Sequence, residues 1–144
     1  MAKMGKITKI IVHCSATPEG RPVTVQEIDT WHKKQGYAKI GYYWVIYLDG
    51  AVHQGRDESE QGAHTVGQNA NSIGVCYIGG CAKDGLKPKD TRTPEQKAAL
   101  IRLIKELKQR YPGASVHGHC EFANKACPSF DAWAEYLFID DRVA

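Results

Sequence analysis

The run "ITKIIVH", residues 7 to 13, constrains the fold more than any other stretch of the sequence. Its centre carries β-branched apolar residues at consecutive positions, and consecutive side chains of a strand point to opposite faces. A strand with this pattern has to be buried on both faces, which is typical of the interior of a sheet covered by other elements. The chain therefore has to build layers around this strand.

The rest of the chain supplies those layers. Its patterns predict strands at 42–47, 51–55, 72–80 and 114–119, and helices at 24–36, from 93 to about 111, and at 130–138. Two capping boxes, Thr24 with Glu27 and Thr93 with Gln96, support the first two helices. The turn "LDG" joins two of the strands as a hairpin. This order of elements predicts an α/β fold, a single domain over residues 1–144 (core about 7–138) with a mixed central β-sheet flanked by helices.

Composition excludes several classes of protein. The 144 residues are 42% hydrophobic and 24% charged, with a net charge of +3, and no run of lysine or arginine is longer than a pair. These values are typical of a globular domain and give no indication of a nucleic-acid partner. No apolar run approaches the roughly 18 residues of a membrane span. The N-terminus has no apolar signal segment, so we expect synthesis in the cytoplasm and release or export by another factor.

The stretch "HGHCEFANKACPSF", residues 117 to 130, concentrates groups that can bind a metal. On a continuous strand His117 and His119 would share one face, and Cys120 would point the other way. Cys127 follows in a loop that could fold back. Five cysteines, an odd number, argue against a disulfide framework and leave buried thiols or metal ligands as the alternatives.

One short segment can supply two ligands of a catalytic zinc, which needs three and an open position. His13, at the end of the buried strand, is the best candidate for the third. The residues alone therefore favour His13 with Cys127 and either His119 or His117, against the alternative of unreactive buried thiols. His32 and His53 are expected to be an ordinary helix residue and an ordinary sheet-face residue.

Zinc held by two imidazoles and one thiolate would activate water and polarise a carbonyl oxygen, chemistry that suits hydrolysis of an unactivated amide. Such a reaction also needs a group that stabilises the oxyanion and one that protonates the leaving amine. Lys125 lies two residues before Cys127 and suits the first role. Tyr42 and Tyr43 point to opposite faces, so one of them has to face the cleft or the core.

Several motifs together closely resemble those of the zinc-dependent N-acetylmuramoyl-L-alanine amidases of phage lysozyme type, relatives of animal peptidoglycan recognition proteins. The motifs are "IIVHCSAT", "GYYWVIYLDGAVHQGRDE", "GAH", "NSIGVCYIGG" and "KACPSFD". They occur in the family's order and extend from about residue 7 to about residue 133. Amidases of this kind cut the bond between N-acetylmuramic acid and the L-alanine of the stem peptide in peptidoglycan.

The resemblance also implies roles for individual residues. It implies one catalytic Zn²⁺ in an open cleft, with His13, His119 and Cys127 as its ligands. It also implies that Tyr42 and Lys125 are catalytic residues and that His64 and Asn71 bind the substrate. This chain differs from the closest phage enzymes at two places, with Cys120 and Tyr43 where those enzymes often carry histidine. His117 has no role in the family.

Peptidoglycan is the partner that the resemblance implies, and we expect a monomer without nucleic-acid partners, as in a phage or prophage endolysin. Inhibition of an RNA polymerase, known for a phage member, depends on surface residues and is not carried over. Two alternatives remain. One is a peptidoglycan-binding module without activity, although such modules typically lack the cysteine ligand. The other is a cytosolic amidase that recycles anhydromuropeptides, although these use an aspartate as third ligand.

Overall fold

A computed structural model describes residues 4–139 of the chain. Within these residues the strands are β1 (Lys9–Cys14), β2 (Thr17–Pro18), β3 (Trp44–Ile46), β4 (Val52–Gln54), β5 (Ser72–Tyr77), β6 (Gly80–Cys81) and β7 (Ser115–Gly118). The helices are α1 (Val25–Lys34), α2 (Pro94–Arg110) and α3 (Ala132–Glu135). None of these helices combines the length and the apolar character needed to cross a membrane.

The main sheet has five strands in the order β4-β3-β5-β1-β7. Strand β1 pairs in parallel with β5 and β7, β3 pairs in parallel with β5, and only the hairpin strand β4 is antiparallel. The mixed sheet predicted from the sequence is therefore confirmed, and the run at 7–13 does form a central strand. Since β3, β5, β1 and β7 are parallel, their carboxyl ends lie at one edge, where sheets of this type place their sites.

Two apolar clusters cover opposite faces of this sheet. Alternate residues of β1 and β5, among them Ile10, Val12, Ile73 and Val75, pack with the apolar face of α2. On the other face Val45 of β3 and Cys76 of β5 pack with Ile28 of α1. Because neighbouring strand residues point to opposite faces, His13 lies on the same side of the sheet as α1. This parity places the site under α1, away from α2.

Helix α2 begins with the capping box that the sequence predicts. The Thr93 hydroxyl accepts from the Gln96 backbone N–H at 3.1 Å, and the Gln96 side chain accepts from the Thr93 backbone N–H at 2.9 Å. At α1 the Thr24 hydroxyl accepts from the Glu27 backbone N–H at 3.2 Å, which is half of the predicted box.

Some predicted elements are longer than the observed ones. Strand β5 ends at Tyr77, because Gly79 and Gly80 adopt φ values of +128° and +100°, a region that only glycine enters readily. Strand β7 ends at Gly118, whose N–H donates to the Glu121 carboxylate at 2.7 Å. The predicted strand through residue 119 is therefore wrong at its end, and the pair β2–β6 is an element that the sequence patterns did not indicate.

Candidate active site

A cleft of about 280 Å³ opens at the carboxyl ends of the parallel strands, between α1 and the loop that follows β7. Three elements bring the predicted metal ligands to it. His13 is the fifth residue of β1, His119 begins a 3₁₀ turn directly after β7, and Cys127 follows in the returning loop. A groove of about 450 Å³ along α2 and β4 is larger, but its lining contains neither histidine nor cysteine.

His119 and Cys127 line this cleft, and they meet His13 directly beneath its lining. Their ligand atoms all lie within 4.8 Å of one another, and among residues 4–139 no other three His, Cys, Asp or Glu side chains meet in this way. Cys127 Sγ lies 3.8 Å from His13 Nδ1, and the rings of His13 and His119 have their centroids 4.5 Å apart. The structure thus brings His13 together with two residues that are more than a hundred positions away in the chain.

Burial sets the protonation of these side chains. It lowers the pKa of His13 well below its ordinary value, with additional effects from His64, His119 and Lys125. Burial and then the charge of Lys125 lower the pKa of His119. Both imidazoles are therefore neutral near pH 7, the form that binds a metal. A hydrogen bond with the Cys14 thiol, together with burial, raises the pKa of Cys127, so a metal has to displace a proton from this sulfur.

The donor set fits a zinc ion. Nδ1 of His119 is buried and has no hydrogen-bond partner among the described residues, which is costly unless that lone pair has another use. The Cys14 backbone N–H donates to Cys127 Sγ at 3.2 Å, a contact that favours the thiolate. Two imidazoles and one thiolate are ligands that zinc prefers, and three ligands leave a position open to the cleft.

The two predicted catalytic side chains also line this cleft. Lys125 is exposed at its rim. The Tyr42 ring lies against His13, with centroids 5.0 Å apart, and burial raises its pKa well above the ordinary value, so that the phenol keeps its proton. Tyr43 points the other way, into the core, where its hydroxyl donates to the Glu60 carbonyl at 2.7 Å.

The two predicted substrate-binding residues lie in different places. His64 is 9% exposed and sits behind His13, with its Nδ1 2.9 Å from Nε2 of His13. Asn71 precedes the first residue of β5, at the opposite edge of the sheet, and its amide donates to the Lys6 carbonyl at 2.8 Å. Asn71 does not line the cleft. The geometry therefore gives no support to a substrate-binding role for Asn71.

His32 also belongs to the cleft, although the sequence pattern indicates only an ordinary helix residue. This residue of α1 lines the cleft, accepts from the Gly41 backbone N–H through Nδ1 at 2.8 Å, and lies against Tyr42 with ring centroids 5.3 Å apart. It fixes the start of the segment that carries Tyr42. Its spacing on α1 predicts only a half-buried helix residue, so the sequence carries no local signal for this contact.

The remaining residues of the "HGHCEFANKACPSF" stretch stay outside the metal cluster. His117 bonds Ser115 Oγ at 2.6 Å and Glu121 Oε1 at 2.7 Å, and Cys120 is exposed. The choice that the residue pattern left open between His117 and His119 therefore falls to His119 on geometry. His53 stacks on Tyr47 in the hairpin, as expected of an ordinary sheet-face residue.

The sequence is similar to those of a known enzyme family. Residues 3–130 match the sequence profile of a family described as N-acetylmuramoyl-L-alanine amidase (Amidase_2). The chain belongs to this amidase family. Membership confirms the enzyme class predicted from the motifs, a peptidoglycan amidase of the endolysin type.

Phage relatives of the amidase family are similar over most of their length. The endolysin of Klebsiella phage KP32 is 46% identical over 129 residues, which are 90% of this chain and 85% of that protein. The endolysin of Escherichia phage T7 is 48% identical over 122 residues, 85% of this chain and 80% of that protein. Animal relatives are more distant: a peptidoglycan-recognition protein of Drosophila melanogaster is 29% identical over 130 residues, 87% of this chain and 70% of that protein.

Solved structures agree with this assignment. The N-acetylmuramoyl-L-alanine amidase LysC from Clostridium intestinale superposes with a TM-score of 0.80 at 27% identity, over 95% of this chain and 87% of that one. Drosophila PGRP-LB superposes with a TM-score of 0.79 at 21% identity, over 99% of this chain and 88% of that one, which shows a shared fold. The amidase fold predicted from the sequence is confirmed.

Proposed function

We propose that this amidase uses one zinc ion, held by His13, His119 and Cys127, to hydrolyse the amide between N-acetylmuramic acid and the L-alanine of the stem peptide. The observation that carries the proposal is the meeting of these three side chains within 4.8 Å, two of them in the lining of an open cleft and His13 directly beneath it. Bound there, zinc supplies Lewis acidity, which activates water and polarises a carbonyl oxygen.

Lys125 provides positive charge at the cleft rim. Its ammonium is near enough to lower the pKa of both His13 and His119. It is therefore also near enough to stabilise negative charge that develops in the cleft beside these two histidines. Amide hydrolysis passes through a tetrahedral species with a negative oxygen, and a fixed cation beside it lowers the barrier. We therefore assign Lys125 to stabilisation of this oxyanion.

Tyr42 provides a proton donor. Its hydroxyl remains protonated because burial raises its pKa, and its ring is held between His13 and His32 at centroid distances of 5.0 and 5.3 Å. The leaving group of this reaction is an amine, which has to gain a proton before the C–N bond breaks. We assign Tyr42 to orienting water or passing a proton toward that nitrogen.

The residues of the cleft do not support the two alternative functions, a binding module without activity and a recycling amidase. A module that only binds peptidoglycan does not need a thiolate beside two neutral imidazoles. A recycling amidase would carry aspartate where this chain places Cys127, and glutamate where it places Tyr42. We therefore place the action of the protein at the bacterial cell wall, with peptidoglycan as its partner.

The test is an end-group assay on purified peptidoglycan with the wild type and two cysteine variants. The wild type releases alanine amines without new reducing sugars. Cys127→Ala removes the thiolate and is expected to lose bound zinc, measured by metal analysis, and to lose activity with it. Cys120→Ala is the matched control, since this exposed thiol lies outside the cluster, and it should keep both zinc and activity.

Two results would contradict the proposal. Release of reducing sugars alone by the wild type would mean that a glycosidic bond is cut. Full activity of Cys127→Ala would mean that the metal is held elsewhere or is not required.

A further inference from the structure

One nitrogen of His13 faces the predicted metal position and the other faces His64. Nδ1 of His13 lies 3.8 Å from Cys127 Sγ, whereas Nε2 lies 2.9 Å from Nδ1 of His64. A neutral imidazole carries one proton, on one nitrogen or the other. If that proton is on Nδ1, His13 has no lone pair for a metal. The tautomer of His13 therefore affects how tightly the site can bind zinc.

The hydrogen bonds beyond His64 favour one tautomer. The Ser72 hydroxyl donates to the Gln68 carbonyl at 2.7 Å, so its oxygen is left as an acceptor for Nε2 of His64 at 3.3 Å. Nε2 of His64 then carries the proton, and its Nδ1 is left bare to accept from His13.

Thr65 is compatible with the same direction. Its hydroxyl oxygen lies 3.0 Å from Nδ1 of His64 and 3.3 Å from Nε2 of His13, so it can share the N–H of His13 as a second acceptor. The opposite direction would set the bare Nε2 of His64 against the Ser72 oxygen, two acceptors facing each other. Ser72 could avoid this only by giving up its 2.7 Å bond to the Gln68 carbonyl.

The backbone provides a slot for the His64 ring. A Cβ at Gly74 would lie 2.6 Å from Cγ of His64, and a Cβ at Gly62 would lie 2.8 Å from its Cδ2. Gly74 lies within the fully buried strand β5, where glycine is less favourable than alanine. A side chain at position 62 or 74 would therefore collide with the His64 ring.

We propose that His64 is a positioning residue that holds His13 as the Nε2–H tautomer and so directs the Nδ1 lone pair of His13 to the metal position. This role rests on the proposed zinc site. It differs from the substrate-binding role that the resemblance implies, since His64 acts through His13. A metal-bound histidine usually donates its second N–H to a carboxylate, carbonyl or water; here the acceptor is a second imidazole whose own tautomer is set by Ser72.

The test uses ¹⁵N-labelled, metal-free protein and long-range ¹H–¹⁵N NMR spectra, which show which nitrogen of each histidine carries the proton. In the wild type His13 is expected to be the Nε2–H tautomer. His64→Asn places an amide oxygen near the position of Nδ1 and should keep this tautomer. His64→Leu removes the acceptor and should give a mixture of the two tautomers at His13.

Zinc affinity, measured by competition with a chelator, is the second readout. His64→Leu should bind zinc about 10- to 100-fold more weakly than the wild type, the range for losing a residue that orients a metal ligand, and His64→Asn should recover most of that affinity. His53→Leu is the matched control because it removes an exposed imidazole in the hairpin. It should change neither the spectrum of His13 nor the affinity.

A folded His64→Leu variant with an unchanged His13 tautomer and unchanged zinc affinity would overturn the proposal. If that variant does not fold, Ser72→Ala tests the same chain from its far end. It should lower the Nε2–H fraction of His13, and an unchanged fraction would also overturn the proposal. Because the spectra need neither zinc nor substrate, the proposed function can fail in the end-group assay while this inference stands, and the reverse also holds.

Discussion

At the scale of single residues, the cleft controls its chemistry through burial. Burial is the main cause that lowers the pKa of His13 and His119 and that raises the pKa of Tyr42. The same physical effect therefore gives two neutral ligands and one protonated donor, because in each case it disfavours the charged form. None of these three side chains has to change its charge before the reaction begins.

Tyr42→Phe tests the donor. The change removes one hydroxyl and keeps the ring that lies between His13 and His32. We expect kcat on peptidoglycan to fall about 10²- to 10⁴-fold, the usual contribution of a general acid, while zinc content is unchanged. Tyr37→Phe is the control, since this exposed tyrosine also lines the cleft but contacts His32. An unchanged kcat in Tyr42→Phe would remove this hydroxyl from the mechanism.

Sequence patterns predicted residues of the site to different extents. His13 and Cys127 could be proposed from residue type and strand ends, since the chemistry of zinc limits the choice of ligands. Only the resemblance indicated that His64 belongs to the site. No sequence pattern predicted its contact with His13. That contact depends on the space beside Gly74, which is created by tertiary packing. The only local sign of it in the sequence is a glycine within a strand.

At the scale of elements, α2 is fixed to the sheet through its first turn. Gln96 completes the capping box and is fully buried, and its Nε2 donates to the carbonyls of Ile46 at 3.3 Å and Ile78 at 2.9 Å. These carbonyls lie at or just beyond the ends of β3 and β5. One side chain thus caps the helix, donates to the Ile78 carbonyl, and adds a second bond to the Ile46 carbonyl, which also accepts from the Ile78 backbone N–H at 3.0 Å.

Gln96→Leu is expected to destabilise the fold by about 2–4 kcal/mol, because it removes the donor to the Ile78 carbonyl and half of the capping box. Urea unfolding should show a lower midpoint with an unchanged m-value. Gln109→Leu, at an exposed position of the same helix, should change stability by less than about 0.5 kcal/mol. Equal effects of the two variants would mean that Gln96 contributes no more than a surface residue.

The two helix starts show what local pattern can predict. The box at Thr93 and Gln96 is a contact between residues three apart, so the sequence was enough to predict it. The second role of Gln96 joins positions 18 and 50 residues away in the chain, and no spacing indicates it. The predicted end of β7 was wrong although the contact that sets it is local: the Glu121 carboxylate accepts from the Gly118 N–H, three residues before it.

At the scale of the whole molecule, Arg92 joins segments that are distant in the chain. Its side chain, 2% exposed, donates to Asp90 at 2.8 Å, to Glu135 of α3 and to the Tyr136 hydroxyl at 3.1 Å. Its guanidinium also lies 3.4 Å from the ring centroid of Phe130. Phe130 follows Cys127 by three residues, so the loop that carries the thiolate is packed against this cluster.

Arg92→Met should therefore weaken the whole fold in a pH-dependent way. Burial raises the pKa of Asp90, but the hydrogen bonds and charge of Arg92 outweigh it and hold that pKa below its ordinary value. This stabilisation is present above the unfolded pKa of about 3.9 and is lost as the pH falls through the lower pKa of the folded state. The two carboxylates are a third exposed or more, so we expect a loss of about 2 kcal/mol at neutral pH.

Thermal unfolding between pH 7 and pH 3 measures this effect. The variant should unfold about 4–8 °C below the wild type at neutral pH. The gap should narrow below about pH 4, where Asp90 of the unfolded chain takes up a proton while Arg92 still keeps Asp90 ionised in the folded wild type. Arg102→Met removes the same charge from an exposed position on α2 and should show little change at any pH. A gap in Arg92→Met that stays constant down to pH 3 would mean that this arginine stabilises the fold by packing on Phe130, with no contribution from its bond to Asp90.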